Sequence, residues 1–263
     1  MADSSPIGLF DSGVGGTSIW KEIHELLPHE QTIYLSDSKN APYGIRPQEE
    51  IISLSIKNTE KLLELGCKII VVACNTATTN AIKILRNSYK VPFIGIEPAI
   101  KPAALKSTHK AVGILATRGT LSSELFAKTS ELYTKDINVL EVEGKGLVEL
   151  IENGKKDSPE MTEILTHLLQ PMLDAQIDYL VLGCSHYPYL IPQLRKILPK
   201  HISIIDSGEA VARQTRAILE KNDLLNMENS IPIPQFYSNK DPKVLSDLIQ
   251  AEKFAYQVAF LDF

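Results

Sequence analysis

Two cysteines stand in matched surroundings. In Lys68-Ile69-Ile70-Val71-Val72-Ala73-Cys74-Asn75-Thr76 and in Asp178-Tyr179-Leu180-Val181-Leu182-Gly183-Cys184-Ser185-His186, an apolar run ends in a small residue, a cysteine and polar residues. Such runs read as strands buried on both faces of a parallel sheet. In open parallel sheets ligands bind beyond the carboxyl ends of the strands, so a thiol delivered there meets solvent and substrate. A thiol suits proton transfer, because its unperturbed pKa of about 8.5 lies nearer neutrality than those of most other bases. Two thiols facing each other across one cleft could take a proton from one face of a carbon and return one to the other. One must then be a thiolate and the other a thiol. Cationic neighbours lower a thiol's pKa, while a carboxylate raises it or accepts its proton. Asp11 and His186 are, by motif, the residues placed to be those neighbours.

Free cysteine is often buried as a small hydrophobe, and either thiol alone would read as core. The matched pair reverses that reading. Cys67 has no copy and reads as structural. Neither matched cysteine belongs to a C-x-x-C pair, which weakens a zinc site and a disulfide oxidoreductase alike. A Cys-His hydrolase stays open, with one thiolate as nucleophile, His186 as base and Asp11 as orienter. It leaves the second thiol without a role.

The positioning elements follow from periodicity. A strand over 7–10 leads through Asp11-Ser12-Gly13-Val14-Gly15-Gly16-Thr17-Ser18 into a helix over 19–27. This loop offers N–H groups to an anion. Ser18 breaks the G-x-G-x-x-G pattern, and Asp11 would repel a pyrophosphate. A small zwitterion fits, its carboxylate on the N–H groups and its ammonium toward Asp11. Next come a strand over 32–35, a turn at Pro42-Tyr43-Gly44 that could hold backbone against a ligand, and an amphipathic pattern over 47–65. A helix over 79–88 and a strand over 91–97 precede Pro98 and Pro102, a boundary.

The pattern then starts again at residue 111, with Ala116 where Asp11 stood. Helices over 122–132, 159–175 and 190–198 and strands over 139–142 and 202–206 follow. Glu152, taken by itself, reads as the solvated end of a short helix. Glu97 lies 23 positions after Cys74 and Ser207 lies 23 after Cys184, which points to internal duplication. Helices over 209–221 and 243–252 return to cover the first half, with Pro232 and Pro234 marking a loop between them. The reading is α/β with parallel sheets in two pseudo-symmetric domains: 1–97 plus 208–263, carrying Asp11 and Cys74, and 98–207, carrying Cys184 and His186.

The 263 residues suffice for two ordinary domains, and 44% hydrophobic with 22% charged residues is a globular composition. A net charge of −5 without a basic run argues against nucleic acid as a partner. No signal-peptide pattern and no apolar run of membrane-spanning length occurs, which predicts a cytoplasmic protein with no membrane partner.

Gly8-Leu9-Phe10-Asp11-Ser12-Gly13-Val14-Gly15-Gly16, Pro42-Tyr43-Gly44, Ala73-Cys74-Asn75-Thr76-Ala77-Thr78 and Gly183-Cys184-Ser185-His186-Tyr187-Pro188 together resemble the glutamate racemases of the cofactor-independent aspartate/glutamate racemase superfamily. The resemblance implies two flavodoxin-like domains with the active site in the cleft between them. It implies conversion of L-glutamate to D-glutamate for peptidoglycan synthesis without a cofactor or metal, by a homodimer. Carried over, Cys74 would serve the D-glutamate side with Asp11, and Cys184 the L-glutamate side with His186 and Glu152. Asp11, Ser12, Tyr43, Gly44, Asn75, Thr76, Ser185 and His186 would bind substrate, with Thr117 and Thr120 as weaker members. Serine stands at 185 where the family usually has threonine, and Gly144-Lys145 where many relatives have Cys-Pro. The N-terminal extension associated in some relatives with activation by a peptidoglycan precursor is lacking, so that regulation is not expected. A racemase of aspartate or another acidic amino acid and a catalytically silent amino-acid-binding protein are the alternatives.

Overall fold

The computed structural model describes residues 3–250 and 255–263. Met1, Ala2 and the last two residues of the helix expected over 243–252 lie outside the described residues. The chain runs β1 (Ile7–Asp11), α1 (Thr17–Leu26), β2 (Thr32–Ser36), α2 (Gln48–Glu64), β3 (Ile69–Val72), α3 (Asn75–Ser88), β4 (Phe93–Gly95) and α4 (Ile100–Lys106). A second pass comprises β5 (Ala111–Ala116), α5 (Arg118–Leu121), α6 (Glu124–Tyr133), β6 (Asn138–Glu143), α7 (Leu147–Glu152), α8 (Pro159–Asp174), β7 (Tyr179–Gly183), α9 (Ile191–Ile197) and β8 (Ser203–Ile205). Then come α10 (Gly208–Lys221), β9 (Gln235–Ser238), α11 (Lys243–Ile249) and β10 (Gln257–Phe260).

One sheet has the order β10-β9-β2-β1-β3-β4 and the other β6-β5-β7-β8. Every strand pairing in them is parallel. Laying β1 on β5, β2 on β6, β3 on β7 and β4 on β8 gives the same order twice, so the sequence repeat is a repeat of topology. In each copy the walk across the sheet reverses between the first and third strands. That switch point is where open α/β sheets hold ligands. At the first, β1 ends in Asp11 beside β3, which delivers Cys74; at the second, β5 ends in Ala116 beside β7, which delivers Cys184.

Side-chain alternation supplies three packed layers. Leu9 and Val71 enter one cluster while Phe10, Ile70 and Val72 enter another on the opposite face. Leu115, Leu180 and Leu182 join Leu9 and Val71, and Ile114 and Val181 face a third cluster. The middle cluster is therefore shared by both halves. Each fully buried Leu, Val or Ile adds roughly 1.5–3 kcal/mol, so this layer ties the switch points together. The duplicated positions themselves meet: Ser207 Oγ donates to the Glu97 carbonyl.

Two expectations need correction. Pro232 and Pro234 lie in a loop as expected, but two strands that were not expected follow it: β9, which pairs with β2, and β10, which pairs with β9. Each is only four residues long, and β9 follows directly on Pro234, which hid them. Second, α3 begins at Asn75 rather than at Thr79. Its first turn, rich in threonine, has poor intrinsic propensity, but Cys74 caps it, with Sγ accepting the Ala77 N–H at 3.5 Å. Among the described residues no helix is long and apolar enough to cross a membrane.

Candidate active site

Cys74 and Cys184 line one small, narrow cavity. Its wall also contains Ser12, Tyr43, Gly44, Asn75, Thr76, Ser185 and His186. Asp11, the remaining residue singled out from the sequence, is fully buried beside Cys74 and is not part of the wall.

On the Cys74 side, Asp11 Oδ2 accepts the Gly16 N–H at 2.7 Å. The Ser185 hydroxyl, arriving from the other half, lies 3.2 Å from both Asp11 oxygens. Burial pushes the Asp11 carboxyl above its ordinary range, against the pull of His186, Cys74 and the Gly16 N–H. Burial, and then the Asp11 charge, push the Cys74 thiol well above its ordinary range.

On the Cys184 side, Sγ lies 3.8 Å from His186 Nδ1, and His186 Nε2 lies 2.6 Å from Glu152 Oε1. A carboxylate only accepts, so Nε2 carries a proton and Nδ1 is the nitrogen that exchanges one with Cys184. Burial opposes the imidazolium, yet hydrogen bonding to Cys184 and Glu152 and the charge of Asp11 outweigh it and hold the His186 pKa well above the usual imidazole value.

Glu152 corrects the sequence reading: its side chain is 7% exposed, not a solvated helix end. Oε1 also accepts the Val14 N–H at 2.6 Å, and Oε2 accepts from Ser38 Oγ at 2.7 Å. These partners lie 138 and 114 positions away in sequence, so no local pattern announces them. The glycine loop is corrected with it. Its N–H groups were expected to take a ligand carboxylate, but those of Val14 and Gly16 serve Glu152 and Asp11. The glycines allow this approach: a Cβ on Gly13 would come within 1.8 Å of Glu152 Oε1, and one on Gly15 within 2.2 Å of the His186 ring.

The wall offers free polar atoms elsewhere. Asn75 is 2% exposed, and both ends of its amide lack a hydrogen-bond partner. Such a group is unfavourable unless a ligand completes it. Thr76 Oγ1 lies 2.8 Å from Thr117 Oγ1, which also lines the cavity; Thr120 Oγ1, at 3.1 Å from Thr117 Oγ1, is buried behind them. The Tyr43 hydroxyl turns away and donates to Asp37, which leaves the backbone of Tyr43 and Gly44 to face the cavity. Pro42, of the expected turn, and Val148 complete the wall; Val148 was not singled out, because it follows the apolar pattern of α7 and is indistinguishable from core by sequence. Cys67 lies outside the cavity, beneath Gly8. Among the described residues no group of three or more His, Cys, Asp or Glu could hold a metal ion.

The profile of the Asp/Glu/hydantoin racemase family matches residues 7–215. The chain is 44% identical over 247 residues to the glutamate racemase of Cupriavidus pinatubonensis, covering 94% of this chain and 91% of that one. It is similar to the solved structure of Escherichia coli glutamate racemase in complex with L-glutamate and the activator UDP-MurNAc-Ala, at 31% identity and a TM-score of 0.87 over 98% of each chain. Francisella tularensis glutamate racemase in complex with D-glutamate matches at 29% identity and a TM-score of 0.83, again over 98% of each chain.

Proposed function

The chain belongs to the Asp/Glu/hydantoin racemase family, and from that premise we propose that it interconverts L- and D-glutamate by proton transfer at Cα between Cys184 and Cys74. It is an enzyme, an amino-acid isomerase. The observation that carries the mechanism is that two thiols share one cavity, each with its own acid-base partner.

Starting from L-glutamate, the Cys184 thiolate, paired with the His186 imidazolium, takes the α-proton and becomes a thiol. The electron pair left on Cα spreads into the α-carboxylate, where directed donors such as the Asn75 amide and the Thr76 hydroxyl stabilise it in a water-poor site. Cys74, held as a thiol by burial, gives its proton to the opposite face and becomes a thiolate. From D-glutamate the roles reverse, and Asp11 receives the Cys74 proton that readies the thiolate. Ser12, the Gly44 backbone and Ser185 hold the remaining charges of the substrate.

Sheet membership supports a lobe of 1–97 with 208–263 and a lobe of 98–207. The reading includes a cytoplasmic homodimer that feeds peptidoglycan synthesis. Incubating the protein with L-glutamate in D2O tests the activity: circular dichroism should decay to zero as deuterium enters Cα. A folded, reduced protein that leaves glutamate unchanged but exchanges the α-hydrogen of aspartate would move the substrate assignment to aspartate. Binding without exchange across a panel of acidic amino acids would make it a binding protein.

A further inference from the structure

Glu152 uses its two oxygens for separate tasks. Oε1 faces His186 Nε2 at 2.6 Å, and Oε2 takes the Ser38 hydroxyl at 2.7 Å. Ser38 belongs to the other sheet's half: it follows β2, is 6% exposed, and sits 3.0 Å from Ser36 Oγ. With its own proton committed to Glu152, it accepts the Ser36 hydroxyl. The residue between them anchors the loop. Asp37 is fully buried and accepts from Tyr43 Oη, from Asn239 Nδ2, and from Asn40 Nδ2 at 2.8 Å. Ser38 is thus held on a rigid turn, not on a free loop, and a rigid donor fixes the rotation of the carboxylate it binds.

We infer that Ser38 is a positioning residue for the Cys184 side of the reaction. It touches neither thiol nor the cavity; it locks the Glu152 carboxylate so that Oε1 stays on His186 Nε2 and the ring presents Nδ1 to Cys184. Without it, Oε2 is a buried acceptor without a partner, and the Val14 N–H on Oε1 is left alone to hold the carboxylate against the imidazole. The loop that carries Ser38 also carries Tyr43 and Gly44 to the cavity, so one turn of the first half sets both the cavity wall and the proton relay of the second.

The inference rests on the two-thiol reading above, and the Ser38→Ala variant separates the two. L- and D-glutamate have equal free energies, so kcat/KM must fall alike in both directions, by roughly ten-fold for one lost buried hydrogen bond. Isotope effects carry the asymmetry. With transfers at Cys184 slowed, the primary deuterium effect on kcat/KM should rise for 2-deutero-L-glutamate and fall for 2-deutero-D-glutamate. Effects that stay put, or move in the same sense, would overturn the role. A second readout needs no turnover. His186 faces Asp11, Glu152 and Cys184, and its imidazole, followed by 15N NMR, should titrate at lower pH in the variant than in the unaltered protein. An unchanged titration overturns the inference; wild-type protein that fails to racemise glutamate while the variant still shifts the titration overturns only the proposed function.

Discussion

The two halves repeat a topology and diverge in chemistry. At the first switch point the residue ending β1 is Asp11, beside the thiol it serves; at the second, β5 ends in Ala116 and no carboxylate is built in. The second half recruits one from α7 and bridges the extra distance with an imidazole, giving thiol, His186 and Glu152 in line. A duplicated fold therefore fixes where a thiol emerges, while its proton partner is chosen locally. Cys74 works against a buried carboxyl and Cys184 against an imidazole, which keeps the opposite faces of one carbon in unlike surroundings. The halves remain coupled through the Ser185 hydroxyl on Asp11 and through Val14 and Ser38 on Glu152.

Removing one thiol at a time should cost the most. Cys74→Ser and Cys184→Ser should each lower racemisation by 10³-fold or more, since general acid-base groups contribute roughly 10²–10⁴-fold. The residual activities should differ in kind. Cys184→Ser keeps the thiol of the D side and should exchange the α-hydrogen of D-glutamate with D2O faster than that of L-glutamate; Cys74→Ser should do the reverse. Near-normal racemisation by either variant would end the two-base account.

Next in size are the partners. As pH falls through the raised Asp11 value, its carboxylate gains a proton and can no longer receive the one from Cys74, so kcat/KM drops on the acid side. As pH rises through the raised His186 value, the imidazolium that pairs with the Cys184 thiolate disappears, so kcat/KM drops on the alkaline side. Asp11→Asn should abolish the acid limb and His186→Asn the alkaline limb, each with a loss of about 10²-fold. A pH profile that keeps both limbs in both variants would show that other groups titrate.

How much of this was legible follows from range. Both cysteine strands and the repeat rest on local pattern, because a strand buried on both faces is a continuous apolar run whose end is abrupt, whereas Ser12, Asn75, Thr76 and Ser185 of the cavity wall were reached only through the family resemblance. The burial of Glu152 was not, and the residue was reached only through the resemblance, because a carboxylate's burial depends on donors over a hundred positions away. The glycine loop misled for the same reason: its N–H groups do bind carboxylates, but the protein's own. β9 and β10 were lost because they are short strands whose pairing, with β2 and with each other at one edge of the sheet, is long-range.

Asn75→Ala tests the wall apart from the thiols. The Asn75 amide has no partner in the protein, so its loss should leave Tm unchanged or raised while KM increases about ten-fold, the worth of one or two hydrogen bonds to a charged ligand. Calorimetry and initial rates read the two effects separately. A lowered Tm with unchanged KM would make Asn75 part of the scaffold and shift carboxylate recognition to Thr76.

The third thiol, Cys67, is the internal control for the other two. Cys67 is buried just before β3, its Sγ only 2.8 Å from where a Cβ on Gly8 would stand, and burial alone pushes its pKa to about 12. It shares burial with Cys74 and Cys184 but has no carboxyl or imidazole to exchange a proton with, so at neutral pH it is scarcely ever a thiolate. Cys67→Ala should leave kcat/KM and the isotope effects as they are and cost about 1 kcal/mol of stability in urea unfolding, from the lost packing of one sulfur. If activity fell as well, burial and not partnership would be what the active thiols require, and the contrast between the halves would lose its chemical basis.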